Sequence, residues 1–334
     1  MHRTAWPAFL IVVAAMLPFG AAANRAEPSV ERSDRVTITP LDDRLRVAID
    51  DELFAEYVYG VYSRPIVYPI IGPHGIGMTR NWPMKDDVPG ESHDHVHQKA
   101  MFLAFGAVNG VNFFAESPDA GKIVHETVLD VESGSARGLI RTANRWVAPD
   151  GEVVCTDVRT LQFQAVPGGR AIDWEVALQA SHGDVTFADD KHGLMAIRTH
   201  PNLRLDNAPE HGVTTANGQA VNSEGIGGKA VFGKRACWID YWGKINDKTV
   251  GIAIFDHPSN PHHPTWWMAR GYGYVAADPF GGHAIGGEAP GTGDLVIPSG
   301  KSATFRYRFV FHEGGPEEAK IDERYRRYVA AAGG

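Results

Sequence analysis

Residues 153–178, VVCTDVRTLQFQAVPGGRAIDWEVAL, decide the fold. In 171–178, Ile172, Trp174, Val176 and Leu178 fall on one face while Asp173 and Glu175 fall on the other. That period of two is the signature of a strand with one face packed and one wet or lining a groove. Residues 153–166 alternate polar and apolar over a longer span, and Pro167-Gly168-Gly169 supplies the turn between the two runs. Working outward, Phe305, Tyr307, Phe309 and Phe311 alternate with Thr304, Arg306, Arg308 and Val310, and RLRVAI (44–49) and LFAEYVY (53–59) read as two more strands. Pro149-Asp150-Gly151 and Pro298-Ser299-Gly300 are further turn signals. Only 316–332, PEEAKIDERYRRYVAAA, reads as helix: Pro316 opens it, acids fill its first turn, arginines follow, and Ile321, Tyr325 and Val329 give it one apolar face. Many short strands without a βαβ rhythm predict an all-β protein, a large antiparallel β-sandwich with a short C-terminal helix. No linker divides residues 24–334, which are expected to form one domain. The stretch 201–230 is polar and Gly-rich and reads as an irregular rim or lid.

Composition narrows the function classes. The 334 residues are 43% hydrophobic and 22% charged, with 37 Gly and 21 Pro, which excludes disorder, collagen, coiled coil and a polytopic membrane protein. With Lys+Arg 32 against Asp+Glu 40 the formal charge is −8, and no basic run offsets it, so nucleic acid is not an expected partner. The N-terminus has the layout of a secretory signal over residues 1–23: His2 and Arg3, the apolar run AFLIVVAAML at 8–17, a break at Pro18-Phe19-Gly20, and small residues at Ala21-Ala22-Ala23. The mature protein is thus expected in the periplasm or outside the cell, with no membrane attachment after cleavage. Cys155 and Cys237 both sit in strand-like runs and read as small buried hydrophobes; a disulfide between them is the alternative in an oxidising compartment.

The densest chemistry is ESHDHVHQK at 91–99. If the segment is extended, His93, His95 and His97 project to one face and Asp94 to the other. Three imidazoles on one face can bind substrate, transfer a proton near neutral pH, or hold a metal. The run AMFLAF behind them reads as the buried strand that fixes them. A second cluster, DHPSNPHH at 256–263, places Asp256, His257, His262 and His263 in a Pro-rich turn ahead of Trp266 and Trp267. Aromatic rings beside His and Asp suit a sugar, which offers an apolar C–H face and a rim of hydroxyls. The two clusters are expected to meet in one cleft. In CTDVR, Asp157 and Arg159 share a strand face and are expected to orient a substrate across a groove. In 184–192, Asp184, Asp189, Asp190, Lys191 and His192 crowd a strand end, a setting in which a carboxylate pKa can be raised for acid or base work. No GxSxG, HExxH, P-loop or strand-borne GxGxxG is present, which weighs against serine hydrolase, zincin, NTPase and dinucleotide enzyme.

RPIVYPIIGPHGIGMTRNWP (64–83), HDHVHQKAMFLAFGAVNGVNFF (93–114), DVRTLQF (157–163), GDVTFADDKHGLMAIR (183–198), WIDYWG (238–243), GIAIFDHPSNPHHPTWW (251–267) and YVAADPFGG (274–282) together resemble the bacterial family commonly labelled methane oxygenase PmoA-like. The family usually carries His-Arg-Gly where this chain has His97-Gln98-Lys99, so the resemblance leaves Lys99 to supply that charge. Its members resemble secreted proteins found beside sugar-processing genes, and its all-β pattern is similar to the galactose mutarotase-like supersandwich. The resemblance therefore implies a carbohydrate-related role, and its label implies a metal-dependent oxygenase.

These observations converge on an exported carbohydrate-active enzyme, a lyase, hydrolase or epimerase acting on a sugar, glycoside or oligosaccharide. His95, His97, Asp157 and His257 are the expected catalytic residues. His93, Arg159, Lys191, His262, His263 and Trp266 are the expected substrate contacts. No cofactor is required by this reading. The alternatives are a non-catalytic carbohydrate-binding protein and an oxygenase holding a divalent metal on His93, His95 and His97.

Overall fold

The computed structural model describes residues 1–2 and 34–331, so the expected signal segment lies outside the described residues apart from its first two. Two eight-stranded antiparallel sheets carry the fold. Sheet A runs in the order β1 (Val36–Pro40), β2 (Arg44–Ile49), β3 (Glu52–Val58), β4 (Ile66–Ile70), β5 (Met101–Leu103), β11 (Met195–Arg198), β16 (Tyr274–Asp278), β15 (Trp266–Ala269). Sheet B runs β12 (Gln219–Asn222), β13 (Trp238–Ile245), β14 (Lys248–Asp256), β18 (Ser302–Glu313), β9 (Gly169–Gln179), β8 (Val153–Val166), β7 (Arg137–Val147), β6 (Lys122–Glu132). A two-stranded ribbon pairs β10 (Val185–Phe187) with β17 (Leu295–Ile297). The antiparallel β-sandwich expected from the alternating runs is what the chain forms.

The alternation survives into packing. Ile172, Trp174, Val176 and Leu178 on β9 and Phe305, Tyr307, Phe309 and Phe311 on β18 are all buried, while Asp173 pairs with Arg308 and Glu175 with Arg306 on the other face of the same strands. Phe54 of β3 sits edge-on to Phe163 and Phe311, with ring centroids 6.0 and 6.1 Å away, which locks sheet A against sheet B. Each such fully buried ring contributes roughly 1.5–3 kcal/mol.

Asp157 and Arg159 correct an expectation. Period two places them on the same face of β8 as Leu161 and Phe163, so they lie between the sheets with no side-chain exposure rather than across a groove. Asp157 accepts hydrogen bonds from Asn144 Nδ2 (2.8 Å), Trp146 Nε1 (2.7 Å) and both Nε and Nη2 of Arg159 (2.8 and 3.0 Å). A buried charge must be paired and bonded to persist, and this one is; it is a structural ion pair that no substrate reaches.

The helix also differs. α1 covers Ile321–Ala331, not 316–332. Lys320 adopts φ 53°, outside helical geometry, so residues 316–320 form turns and the helix begins after them. Ile321 and Tyr328 are buried and Tyr325 and Val329 half-buried against Trp238, Phe255 and Val310 of sheet B. Residues 201–230 are more ordered than a plain rim: they include β12, which extends sheet B, and three short 3₁₀ turns. Both cysteines are free; Cys155 is buried on β8 and Cys237 is half-buried just before β13. Among the described residues no helix is long and apolar enough to cross a membrane.

Arg159→Ala should cost about 3–5 kcal/mol, the usual consequence of leaving one member of a buried ion pair uncompensated. Urea unfolding measures it; a loss under about 1 kcal/mol would show that Asp157 is reached by water.

Candidate functional site

Sheet register places the site. The hydroxyls of Tyr57 on β3 and Thr142 on β7 lie 3.1 Å apart, so Tyr57 points between the sheets. Direct pairing carries that facing through Val67, Met101, Ile197 and Val275. Phe102, Ala196, Arg198, Tyr274 and Ala276, one residue out of step, therefore face away from sheet B. They are buried all the same, because loops roof this face.

The histidine run 93–97 is part of that roof and is not extended. Three buried arginines shape it. Arg80 Nη1 donates to Ser92 O (3.1 Å), Asp94 O (2.9 Å) and Asp94 Oδ1 (2.5 Å), and its Nη2 to His95 O and Gln98 O (both 3.2 Å). Arg198 donates to Gln98 Oε1 (2.9 Å) and Asp94 Oδ1 (3.1 Å). Arg64 donates to His97 O (3.0 Å) and Phe114 O (2.8 Å). To turn its carbonyls onto these guanidinium groups the backbone takes φ 49° at His95. The imidazoles consequently do not share one face: His95 and His97 meet edge to face, with ring centroids 5.8 Å apart. His93 stacks on Trp82 (5.2 Å) and His95 on Tyr272 (5.0 Å), while His97 packs against Phe114 (4.8 Å). Asp94 does not point away from them; its Oδ2 is 3.1 Å from His95 Nδ1. Among the described residues no three His, Cys, Asp or Glu side chains are arranged to hold a metal ion, and Glu116, the first carboxylate after the run, is bonded to Lys99 and Ser63.

The crowded acids at 184–192 supply the partner for His97. Phe114 lies between the two imidazoles, 4.8 Å from His97 and 4.7 Å from His192. His192 Nδ1 is bonded to Asp190, whose Oδ1 also accepts the His192 N–H (2.8 Å). Gly106 is what lets this pair sit against β5's exit: a Cβ there would fall 2.7 Å from both Asp190 Oδ1 and His192 Nδ1. Lys191 is exposed beside the pair. Beneath Phe114 lies Tyr274 (6.1 Å), 1% exposed, its hydroxyl without a hydrogen-bond partner. Phe114, Tyr272 and Tyr274 were not anticipated; the alternation Tyr272-Gly273-Tyr274 ahead of an apolar strand was the available signal.

Charge separates the groups. Burial, reinforced by the nearby Arg64 and His95, pushes His97 down to about 4, so its imidazole is neutral near pH 7. Burial opposes ionisation of Asp94, but His95, Arg198 and Arg80 outweigh it and hold the carboxyl well below the usual range. Burial raises Asp278 well above the ordinary carboxyl value, against the N–H groups of Phe280 and Gly193 that favour its anion.

The 256–263 run goes elsewhere. Among the described residues no hydrogen bond, ion pair or ring contact joins it to 93–97, so no contact supports the expected single cleft. Asp256 ends β14, which lies between β13 and β18 in sheet B, and its turn is tied there: His257 N donates to Arg306 O, and the His257 ring lies 5.3 Å from Tyr328 of α1. His257 Nδ1 bonds Ser259 Oγ, His262 Nδ1 bonds Pro279 O, and His263 Nδ1 bonds Asp256 Oδ2, each at 2.7 Å. Trp266 is 3% exposed with the Arg235 guanidinium 4.5 Å over its ring, so it offers no face to a sugar.

The model of a family described as being of unknown function (DUF6807) matches residues 44–326. No curated protein matches the chain. Among solved structures the chain is similar to a 4-alpha-glucanotransferase from Thermococcus litoralis, at 10% identity and TM-score 0.28, covering 84% of this chain and 37% of that one, so it spans little more than a third of that enzyme. It is also similar to a galactose mutarotase-like protein from Lactobacillus casei, at 9% identity and TM-score 0.29, covering 83% of this chain and all of the other.

Because the fold holds His97 neutral, the unfolded chain takes up its proton near 6.5 and the folded chain only near 4. Stability should therefore fall as pH drops through that window, and the fall should be shallower in His97→Gln. Urea midpoints at pH 7.5 and 4.5 for both proteins check this; parallel losses would place His97 in water.

Proposed function

We propose that this chain, which belongs to the family of unknown function DUF6807, is an exported carbohydrate-active enzyme whose chemistry is proton transfer between His97 and the His192–Asp190 pair. The observation that carries the reading is the contrast between two imidazoles flanking one ring: His97 is desolvated and neutral, while His192 is bonded through Nδ1 to a carboxylate. Two titratable groups in opposed environments are how a site divides base from acid at one pH. His97 takes a proton from a sugar hydroxyl or ring carbon; His192, held through Nδ1 by Asp190, returns one to the leaving or ring oxygen. A lyase, a hydrolase and an epimerase all need that pair of transfers.

Sugar as substrate rests on the surroundings. Trp82 carries His93 stacked on it and Arg80 over its ring, and Tyr272 carries His95 and Arg198, so the ring surface offered to a sugar is that of the exposed imidazoles, and the Tyr274 hydroxyl is a buried donor that a ligand hydroxyl would satisfy. His93 and His95, stacked on Trp82 and Tyr272 and exposed, are the outer contacts of this reading, with Lys191 at the rim. Asp157, Arg159, His257, His262, His263 and Trp266 drop out of it on the geometry above. So does a metal on His93, His95 and His97, which are not arranged as a ligand set.

A product screen over glycosides and oligosaccharides, with and without chelator, identifies the reaction. His97→Ala and His192→Ala should each lower turnover by about 10²–10⁴-fold, the usual worth of a positioned acid or base, and chelator should change nothing. Tyr274→Phe should weaken substrate binding by about tenfold or less, the scale of one hydrogen bond. Saturable sugar binding with no product, unaffected by either histidine variant, would instead establish a binding protein.

A further inference from the structure

The turn at 256–263 leaves one arrangement unused by the reading above. His263 is held at both ends: Nδ1 is 2.7 Å from Asp256 Oδ2, and Nε2 is 3.9 Å from Cys237 Sγ. Asp256 is 1% exposed and fixed in turn, Oδ2 accepting Thr265 N–H (2.9 Å) and Oδ1 accepting Asn260 Nδ2 (2.7 Å). Cys237 is set by its own N–H on Ser223 Oγ (2.9 Å) and is half-buried, with Tyr325 of α1 bonded to it. A thiol facing one imidazole nitrogen while a buried carboxylate orients the other is the constellation of an activated nucleophile, and such contacts are commonly loose without a ligand. We propose that Cys237, His263 and Asp256 form a nucleophilic thiol site, separate from the sugar site, that exchanges with small-molecule disulfides.

The step balances without an outside oxidant. His263 Nε2 takes the Cys237 proton, and the thiolate attacks one sulfur of the disulfide. A new S–S bond forms as the old one breaks. The departing thiolate then takes the proton back from the imidazolium, leaving a mixed disulfide on Cys237 and one free small thiol. Cys155 is an internal control: it is buried between the sheets, which pushes its thiol well up and keeps it inert. The charged and titratable groups around the site include Asp256, His257 and His263 of the turn, Arg235 bonded to the main chain on either side of His263, Tyr307 of β18, and Tyr325 and Tyr328 of α1.

The test treats the native full chain with dithiodipyridine, which reports each exchange by the coloured thiopyridone it releases, and locates the adduct by peptide mass. One equivalent on Cys237 is expected, Cys155 reacting only in denaturant. At pH 6 the rate should exceed that of a free cysteine peptide by about tenfold or more, since an unassisted thiol near 8.5 is scarcely ionised there. His263→Gln should fall to the peptide rate. No native equivalent, or equal rates for wild type and His263→Gln, overturns the proposal. Should His263→Gln unfold, seen as both cysteines reacting, the wild-type pH profile decides. A rate sustained below pH 7 supports the site, and one that rises only through the free-thiol range overturns it.

Discussion

Burying Arg64, Arg80 and Arg198 above one sheet face imposes the constraint from which the site follows. A guanidinium presents five N–H donors and cannot give up its charge, so each must find acceptors where water does not reach. The loop at 92–98 provides them, chiefly with main-chain oxygens: Ser92, Asp94, His95 and Gln98 around Arg80, and His97 on Arg64. A loop whose carbonyls all turn inward must turn side chains outward, and the imidazoles are thereby sent to three different aromatic neighbours. Asp94 is the counter-ion of this arrangement, bonded to Arg80 and Arg198 together. The loop conformation thus satisfies most of the buried donors beneath it, with Arg64 Nε and Arg80 Nε left without a partner.

The fold was legible wherever burial alone decides a side chain's direction. β8 is residue for residue the run that alternation marks, and β9 and β18 differ by one or two at their ends. In such strands a shift of one residue would turn every ring to water, so pattern and structure agree. The same rule, applied strictly, places Asp157 and Arg159 in the core, because they share a parity with Leu161 and Phe163. Charge suggested a groove, and the pattern was the better guide. At α1 the misreading was local: Pro316 and two acids look like a helix start, yet Lys320 at positive φ defers it.

The site was legible in composition and not in geometry. Three histidines in five residues marked the segment that the proposed site uses, and the crowd of acids at 184–192 held the residue proposed as the partner of His97. Nothing in 91–99 says that its backbone will wrap guanidinium groups contributed by residues 64, 80 and 198, so an extended strand was the simplest conformation to assume. The 256–263 turn has the same composition, His and Asp beside aromatics, and a different fate. Its side chains close on one another and on main-chain oxygens, as His262 does on Pro279. Local composition flags polar chemistry, but only the long-range pairing of β5 with β11, and of β11 with β16, brings His97 and His192 both against Phe114.

The buried arginines also bear on reactivity. Arg64 and His95 add to the desolvation that keeps His97 neutral. The same influences oppose its protonation, so they keep the proton acceptor free at neutral pH while weakening it as a base. Positive charge here favours negative charge on a ligand. A sugar oxygen that gains charge as a proton leaves would lie near guanidinium groups whose carboxylates, Asp94 on Arg80 and Arg198 and Glu116 beside Arg64, are already engaged. Preorganised positive potential in a water-poor site stabilises such charge without reorganisation at the moment of reaction. His192 has a different neighbour, its Nδ1 bonded to Asp190. The contrast between the two imidazoles comes from where the chain carries arginine and where it carries aspartate.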